Sequence, residues 1–189
     1  MSRRALTLLE ILVSLSLLGV VGVLVLQIFL AVNRVSQYGG ARIEVQNATR
    51  LAMRRLVPLI ESAIPPASNQ SAVTRPADGQ TGRVLEFTSS IDHLGNAAPD
   101  PRNPVYLRFR IRHAGPELWL EQLGGGAPPP RLLGRLQQVE FTNLGGESVR
   151  IALRAEAQTR TLAGVTETVS SELTTQVYLP YHLHQAAQP

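Results

Sequence analysis

The chain has 189 residues, 44% of them hydrophobic and 17% charged. All 18 basic residues are arginine, set against 14 acidic residues, and there is no cysteine. Without lysine there is no P-loop lysine, Schiff-base lysine or lysine general base; without cysteine there is no disulfide framework, thiolate metal site or cysteine nucleophile. The formal net charge of +4 is a small excess within a mixed acid–base balance, so composition gives little reason to expect a nucleic-acid partner.

Apolar residues are concentrated at one end. Ile11 to Asn33 is a run of 23 residues without a charge, 17 of them apolar. As a helix it spans about 34 Å, enough to cross a hydrocarbon core of roughly 30 Å. Ser14, Ser16, Gly19 and Gly22 are compatible with a membrane helix, since small residues let neighbouring helices approach closely. Arg3 and Arg4 precede the run, which by the positive-inside tendency places the N-terminus in the cytoplasm and the bulk of the chain across the membrane. The run is too long for the apolar core of a secretory signal peptide and ends without a small-x-small cleavage pattern.

Glu10 is a lone carboxylate at the mouth of this run, preceded by Leu8 and Leu9 and followed by Ile11. Driven toward the bilayer centre, such a charge costs about 2.5 kcal/mol or more, so it calls for a partner.

Residues 34–62 continue in a helical rhythm. Tyr38, Ala41, Val45, Ala48, Ala52, Leu56 and Leu59 recur at three- and four-residue intervals and form the expected buried stripe. Gly39-Gly40 is expected to loosen the helix, Pro58 to kink or shorten its last turns, and Pro65-Pro66 to end it. Residues 65–82 read as a polar loop.

Beyond the loop the period changes to two. Leu85 and Phe87 alternate with Glu86 and Thr88. Val105, Leu107, Phe109 and Ile111 alternate with Tyr106, Arg108, Arg110 and Arg112. Residues 105–123 read as a hairpin turning at His113-Ala114-Gly115-Pro116, followed by a Gly-Pro loop from Gly124 to Pro130. Val139 with Phe141, then Val149, Ile151 and Leu153, then Leu173, Val177 and Leu179 mark further strands. Strands following one helix argue for an α+β fold, an antiparallel sheet covered by that helix.

Catalytic and metal patterns are sparse. His182 and His184 share a strand face but have no evident third ligand, and His93 and His113 stand alone in loops without a nucleophile pattern. Asp92 and Asp100, with Asn96 and Asn103, do not have the spacing of an EF-hand. Neither an enzyme nor a metal or other cofactor is expected. Arg108, Arg110 and Arg112 form a comb that faces either an acidic partner or, as expected here, cross-strand glutamates. DNA is not the expected partner, because a single-strand binding face needs aromatic platforms and only Tyr106 is read on that face.

The stretch from Arg3 to Val13 resembles the processing site of type IV prepilins and type II secretion pseudopilins, on Thr7, Leu8 and Glu10 after a short basic leader. The specific part of the resemblance covers residues 3–33. Ala5 stands where the family usually has Gly, and Leu6 where it usually has Phe. The resemblance implies a leader of residues 1–5, cleavage between Ala5 and Leu6 by a prepilin peptidase, and N-methylation of Leu6. It also implies a pilin-like fold: a transmembrane helix half at 6–33, a soluble half at 34–64 and a periplasmic β-rich domain at 65–189. Glu10, with Thr7 and Leu8, would be an assembly residue, its carboxylate pairing with the N-terminal amine of a neighbouring subunit. The length and the stretch Gln46 to Ala52 resemble the larger minor subunits, the J-type pseudopilins and W-type minor pilins.

The expected function is then a non-enzymatic minor pilin or pseudopilin at the tip of a type IV pilus or type II secretion pseudopilus, or in its initiation. The expected partners are other minor pilins or pseudopilins, the prepilin peptidase, the inner membrane and its assembly platform. The residues leave a second reading open: a single-span membrane protein whose extracytoplasmic domain binds a ligand or a protein, with no filament.

Overall fold

The computed structural model describes residues 8–66, 70–89, 106–124, 126–145, 148–160 and 164–179, with Leu8 described by its backbone alone. One helix, α1 (Leu8–Glu61), runs for 54 residues, about 80 Å at the α-helical rise. It passes through Gly39-Gly40 without a break. Those glycines cost helix stability locally, roughly 1 kcal/mol each relative to alanine, but Ala41 and Val45 just beyond them are buried and hold the next turns in place.

Pro58 also lies inside α1. It has no N–H to offer the Arg54 carbonyl, yet it sits exposed in the last turn, where water can serve that carbonyl. The helix therefore continues to Glu61 instead of stopping at the proline. Its end is closed by Ser62, whose backbone N–H donates to the Pro58 carbonyl at 3.1 Å and whose hydroxyl donates to the Leu59 carbonyl at 2.6 Å.

The strands are β1 (Val73–Arg75), β2 (Thr81–Gly82), β3 (Val84–Ser89), β4 (Leu107–Ala114), β5 (Glu117–Leu123), β6 (Arg131–Arg135), β7 (Gln138–Asn143), β8 (Ser148–Arg160) and β9 (Thr166–Tyr178). They form two antiparallel sheets. One has five strands in the order β1-β3-β4-β5-β6, the other four in the order β2-β7-β8-β9. The α+β arrangement expected from the sequence is present, with two sheets beside the helix where one was expected.

The stretch read as a polar loop contains β1 and β2, and β6 follows the Gly-Pro loop where no strand was expected. The hairpin expected at 105–123 is β4 and β5, joined by Gly115-Pro116 alone. Gly115 takes φ +60° at the first central position of that two-residue loop, where a side chain would be strained. His113 is thus part of β4, half-buried, with Nε2 2.9 Å from the Leu136 carbonyl, and is not a loop residue.

The core lies between the soluble half of α1 and the inner faces of both sheets. Leu56 and Ile60 from the helix meet Phe87, Phe109, Phe141, Ile151 and Leu153 in one cluster, and Phe87 stacks on Phe109 with centroids 5.6 Å apart. Burying each of these large side chains stabilises the fold by about 1.5–3 kcal/mol.

The expected helical stripe is partly confirmed. Ala41, Val45, Ala52 and Leu56 are buried, Ala48 and Leu59 are partly buried, and Tyr38 is exposed. Thr49, Met53 and Ile60 complete the buried row. Tyr38 lies on the N-terminal side of Gly39-Gly40, short of where sheet packing begins.

Helix and sheet come close at β6. A side-chain carbon built at Gly134 would lie 3.4 Å from the Ala52 Cβ, and Arg55 donates to the Leu133 carbonyl at 2.6 Å. At the far end the chain leaving α1 is tied to β3. Ile64 N–H donates to the Thr88 carbonyl at 2.8 Å, and the Ser89 hydroxyl donates to the Ser62 carbonyl at 2.8 Å.

Candidate assembly helix and the charged sheet face

Residues 9–32 of α1 expose every side chain, among them Leu15, Leu18 and Ile28. A helix of this length and apolarity is able to cross a membrane. Ser16 satisfies its own hydroxyl by donating to the Leu12 carbonyl at 2.8 Å, so it adds no unpaired polar group to the span. No neighbouring atom lies within 4 Å of a Cβ built at Gly19 or Gly22, which leaves two shallow notches in the helix surface.

Glu10 sits in the first turn of α1. A carboxylate there faces the positive end of the helix dipole, an interaction worth about 0.3–1 kcal/mol at an exposed site. The position also keeps it at the mouth of the apolar segment, with Leu9, Ile11, Leu12 and Val13 exposed around it. Ala5, Leu6 and Thr7, expected from the sequence as cleavage and assembly residues, lie outside the described residues, as does the side chain of Leu8. His93, His182, His184, Asp92, Asp100, Asn96 and Asn103 also lie outside them. Among the described residues no cluster of three or more His, Asp or Glu is arranged to hold a metal ion.

The arginine comb is a paired surface. Arg75, Glu86, Arg110 and Glu121 occupy directly opposed positions on β1, β3, β4 and β5, so charge alternates along one row across the sheet. Glu86 is the centre of the row. Its side chain is only 7% exposed; Arg110 Nε donates to Oε1 at 2.8 Å, and Arg108 and Arg75 stand 3.8 Å and 4.0 Å from Oε2. Glu121 accepts from Arg112 and lies 3.9 Å from Arg110.

The cross-strand glutamates expected from the sequence are therefore Glu86 and Glu121. Trp119, opposite Arg112 on β5, was missed as a second aromatic residue of this face. Its position follows from the hairpin register, which the two-residue turn sets. Chemically the row is a set of ion pairs in which guanidinium groups hold the carboxylates.

No known protein family, curated protein or solved structure matches this chain.

Proposed function

We propose that the protein is a minor pilin or pseudopilin: a non-enzymatic subunit anchored in the inner membrane by α1 and assembled through that helix into a short periplasmic or surface filament, at its tip or in its initiation. In this reading the N-terminus is cytoplasmic and the β-rich domain periplasmic. A prepilin peptidase removes residues 1–5 and methylates Leu6, and Glu10 pairs with the N-terminal amine of a neighbouring subunit.

The observation that supports this most is the continuity of α1. A helix that is wholly exposed and predominantly apolar from Leu9 to Val32, with a carboxylate in its first turn, continues without interruption into a half that is packed on two sheets. A simple membrane anchor needs no rigid connection to its domain. A subunit whose helix packs against neighbours does, because the position of the helix then sets the position of the domain. In a poorly solvated setting an unpaired carboxylate is costly and an amine partner is strongly favoured, so a Glu10–amine pair would set the register between subunits.

Mass spectrometry of the protein purified from its own membrane tests the reading. The expected result is an N-terminus at methylated Leu6. An intact Met1 on protein from cells that hold an active prepilin peptidase, or a start near residue 34, would overturn it.

A further inference from the structure

Of the four sheet edges, three are short: β1 has three residues, β2 two and β6 five. The fourth, β9, has 13 residues and pairs with β8 from Ser148↔Tyr178 to Arg160↔Thr166 without a register shift. Long edge strands are usually protected by proline, lysine, a bulge or a covering segment. β9 contains no proline and no bulge, and its only charges are Glu167 and Glu172. Among the described residues no backbone hydrogen bond reaches its outer edge.

A groove of about 580 Å³ lies alongside this edge. Five residues of α1, namely Arg50, Met53, Arg54, Val57 and Pro58, and Leu173 of β9 line it. No β8 residue lines it, so the groove is formed by α1 and β9 alone. Its floor is apolar and its rim carries two guanidinium groups. Among the described residues no carboxylate pairs with Arg50 or Arg54, whereas all three arginines of the β4 comb are paired.

Two independent observations thus point to one kind of occupant. The row of unpaired backbone groups takes a strand, because only an extended chain presents donors and acceptors at matching intervals. The adjoining groove takes alternate side chains of that strand, apolar ones against Val57 and Leu173 and acidic ones between the free arginines. We propose that the outer edge of β9 binds an extended, acidic–apolar segment of a different protein chain as an added strand. This goes beyond the filament reading and requires no other assembly component.

The test uses the full chain in nanodiscs, panned against a displayed library of random 12-residue peptides, with hydrogen exchange mapping where the enriched peptides bind. The expected result is enrichment of peptides alternating acidic and apolar residues that protect β9 amides. N-methylation of the peptide at alternate positions should then weaken binding at least tenfold in the register that blocks the edge bonds. An Arg50→Glu/Arg54→Glu double variant should lose at least tenfold while keeping the β8–β9 exchange pattern of the unliganded protein.

The proposal is overturned if no enriched peptide protects β9, if the protected amides lie elsewhere, or if binding is indifferent to N-methylation. A concentration-dependent dimer whose own β9 amides are protected would also overturn it, since the occupant would then be a second copy. N-methylated peptides act on the unaltered protein, so the outcome stands even if the double variant fails to fold. Failure here leaves the N-terminus of the membrane form, and with it the filament reading, unaffected.

Discussion

Ala52→Leu should loosen the helix from the sheets more than any exposed change on α1. Ala52 is 1% exposed, and a Cβ placed at Gly134 of β6 would sit 3.4 Å from its Cβ. Leucine adds three carbons where the gap to Gly134 admits about one, and interiors are packed as densely as organic crystals. Either leucine adopts a strained rotamer or α1 lifts off β6, and such overpacking costs about 1–3 kcal/mol. Lifting the helix would also stretch the 2.6 Å bond from Arg55 to the Leu133 carbonyl, about 1.5 kcal/mol more for a charged donor. The expected total is about 2.5–4.5 kcal/mol, a fall in melting temperature of roughly 5–18 °C for a chain of this size.

Gly134→Ala is the matched control from the other side. Gly134 does not have a positive φ, and its added carbon would make ordinary contact, so the change should stay within about 1 kcal/mol. Trp119 in β5 is the protein's single tryptophan, so thermal unfolding of the full chain in detergent followed by its fluorescence reads the domain directly. Ala52→Leu melting within 2 °C of the parent, or Gly134→Ala losing more than Ala52→Leu, would refute the close approach of α1 and β6.

Three further outcomes are expected. Glu86→Gln removes a nearly buried carboxylate facing three arginines and should cost about 2 kcal/mol, below the range for fully buried pairs because Arg110 is 36% exposed and water takes over part of its solvation; Glu86→Leu combined with Arg110→Met should recover most of that loss in the same melting assay. Asn143 is fully buried and its side-chain amide donates to the Pro76 carbonyl at 3.1 Å and to Asp78 Oδ1 at 2.9 Å, so Asn143→Ala should cost about 1–3 kcal/mol, seen as faster hydrogen exchange in residues 76–80. Glu10→Gln should leave α1 membrane-inserted on alkaline extraction while reducing co-purification with other filament subunits; full co-purification would contradict the assembly role proposed for Glu10.

The course of the chain decides how much of this was legible beforehand. Apolar content from Ile11 to Asn33 and the alternation of Leu107 to Arg112 each repeat one local rule over many residues, and α1 and β4 follow them. The neutralised comb was also within reach, because β4 and β5 are joined by two residues and their register places Arg110 against Glu121. Glu86 completes the row through a strand pairing that spans an intervening segment, so cross-strand glutamates were expected but not that Glu86 is the centre of the ion pairs.

Local chemistry by itself determined the apolar span, the carboxylate at its mouth, the change from helical to strand periodicity, and the exclusion of lysine and cysteine chemistry. These depend on residue type and on spacing within a few residues. Tertiary packing decided that Gly39-Gly40 and Pro58 leave α1 continuous, that there are two sheets, and that β1, β2 and β6 exist at all. Arg131 to Arg135 has no alternating pattern; it is a strand because β5 offers it partners and Gly134 lets Ala52 come close. Tertiary packing also left β9 at an edge with Arg50 and Arg54 beside it, since which strand ends a sheet is settled by the order of pairing and not by the strand's own residues.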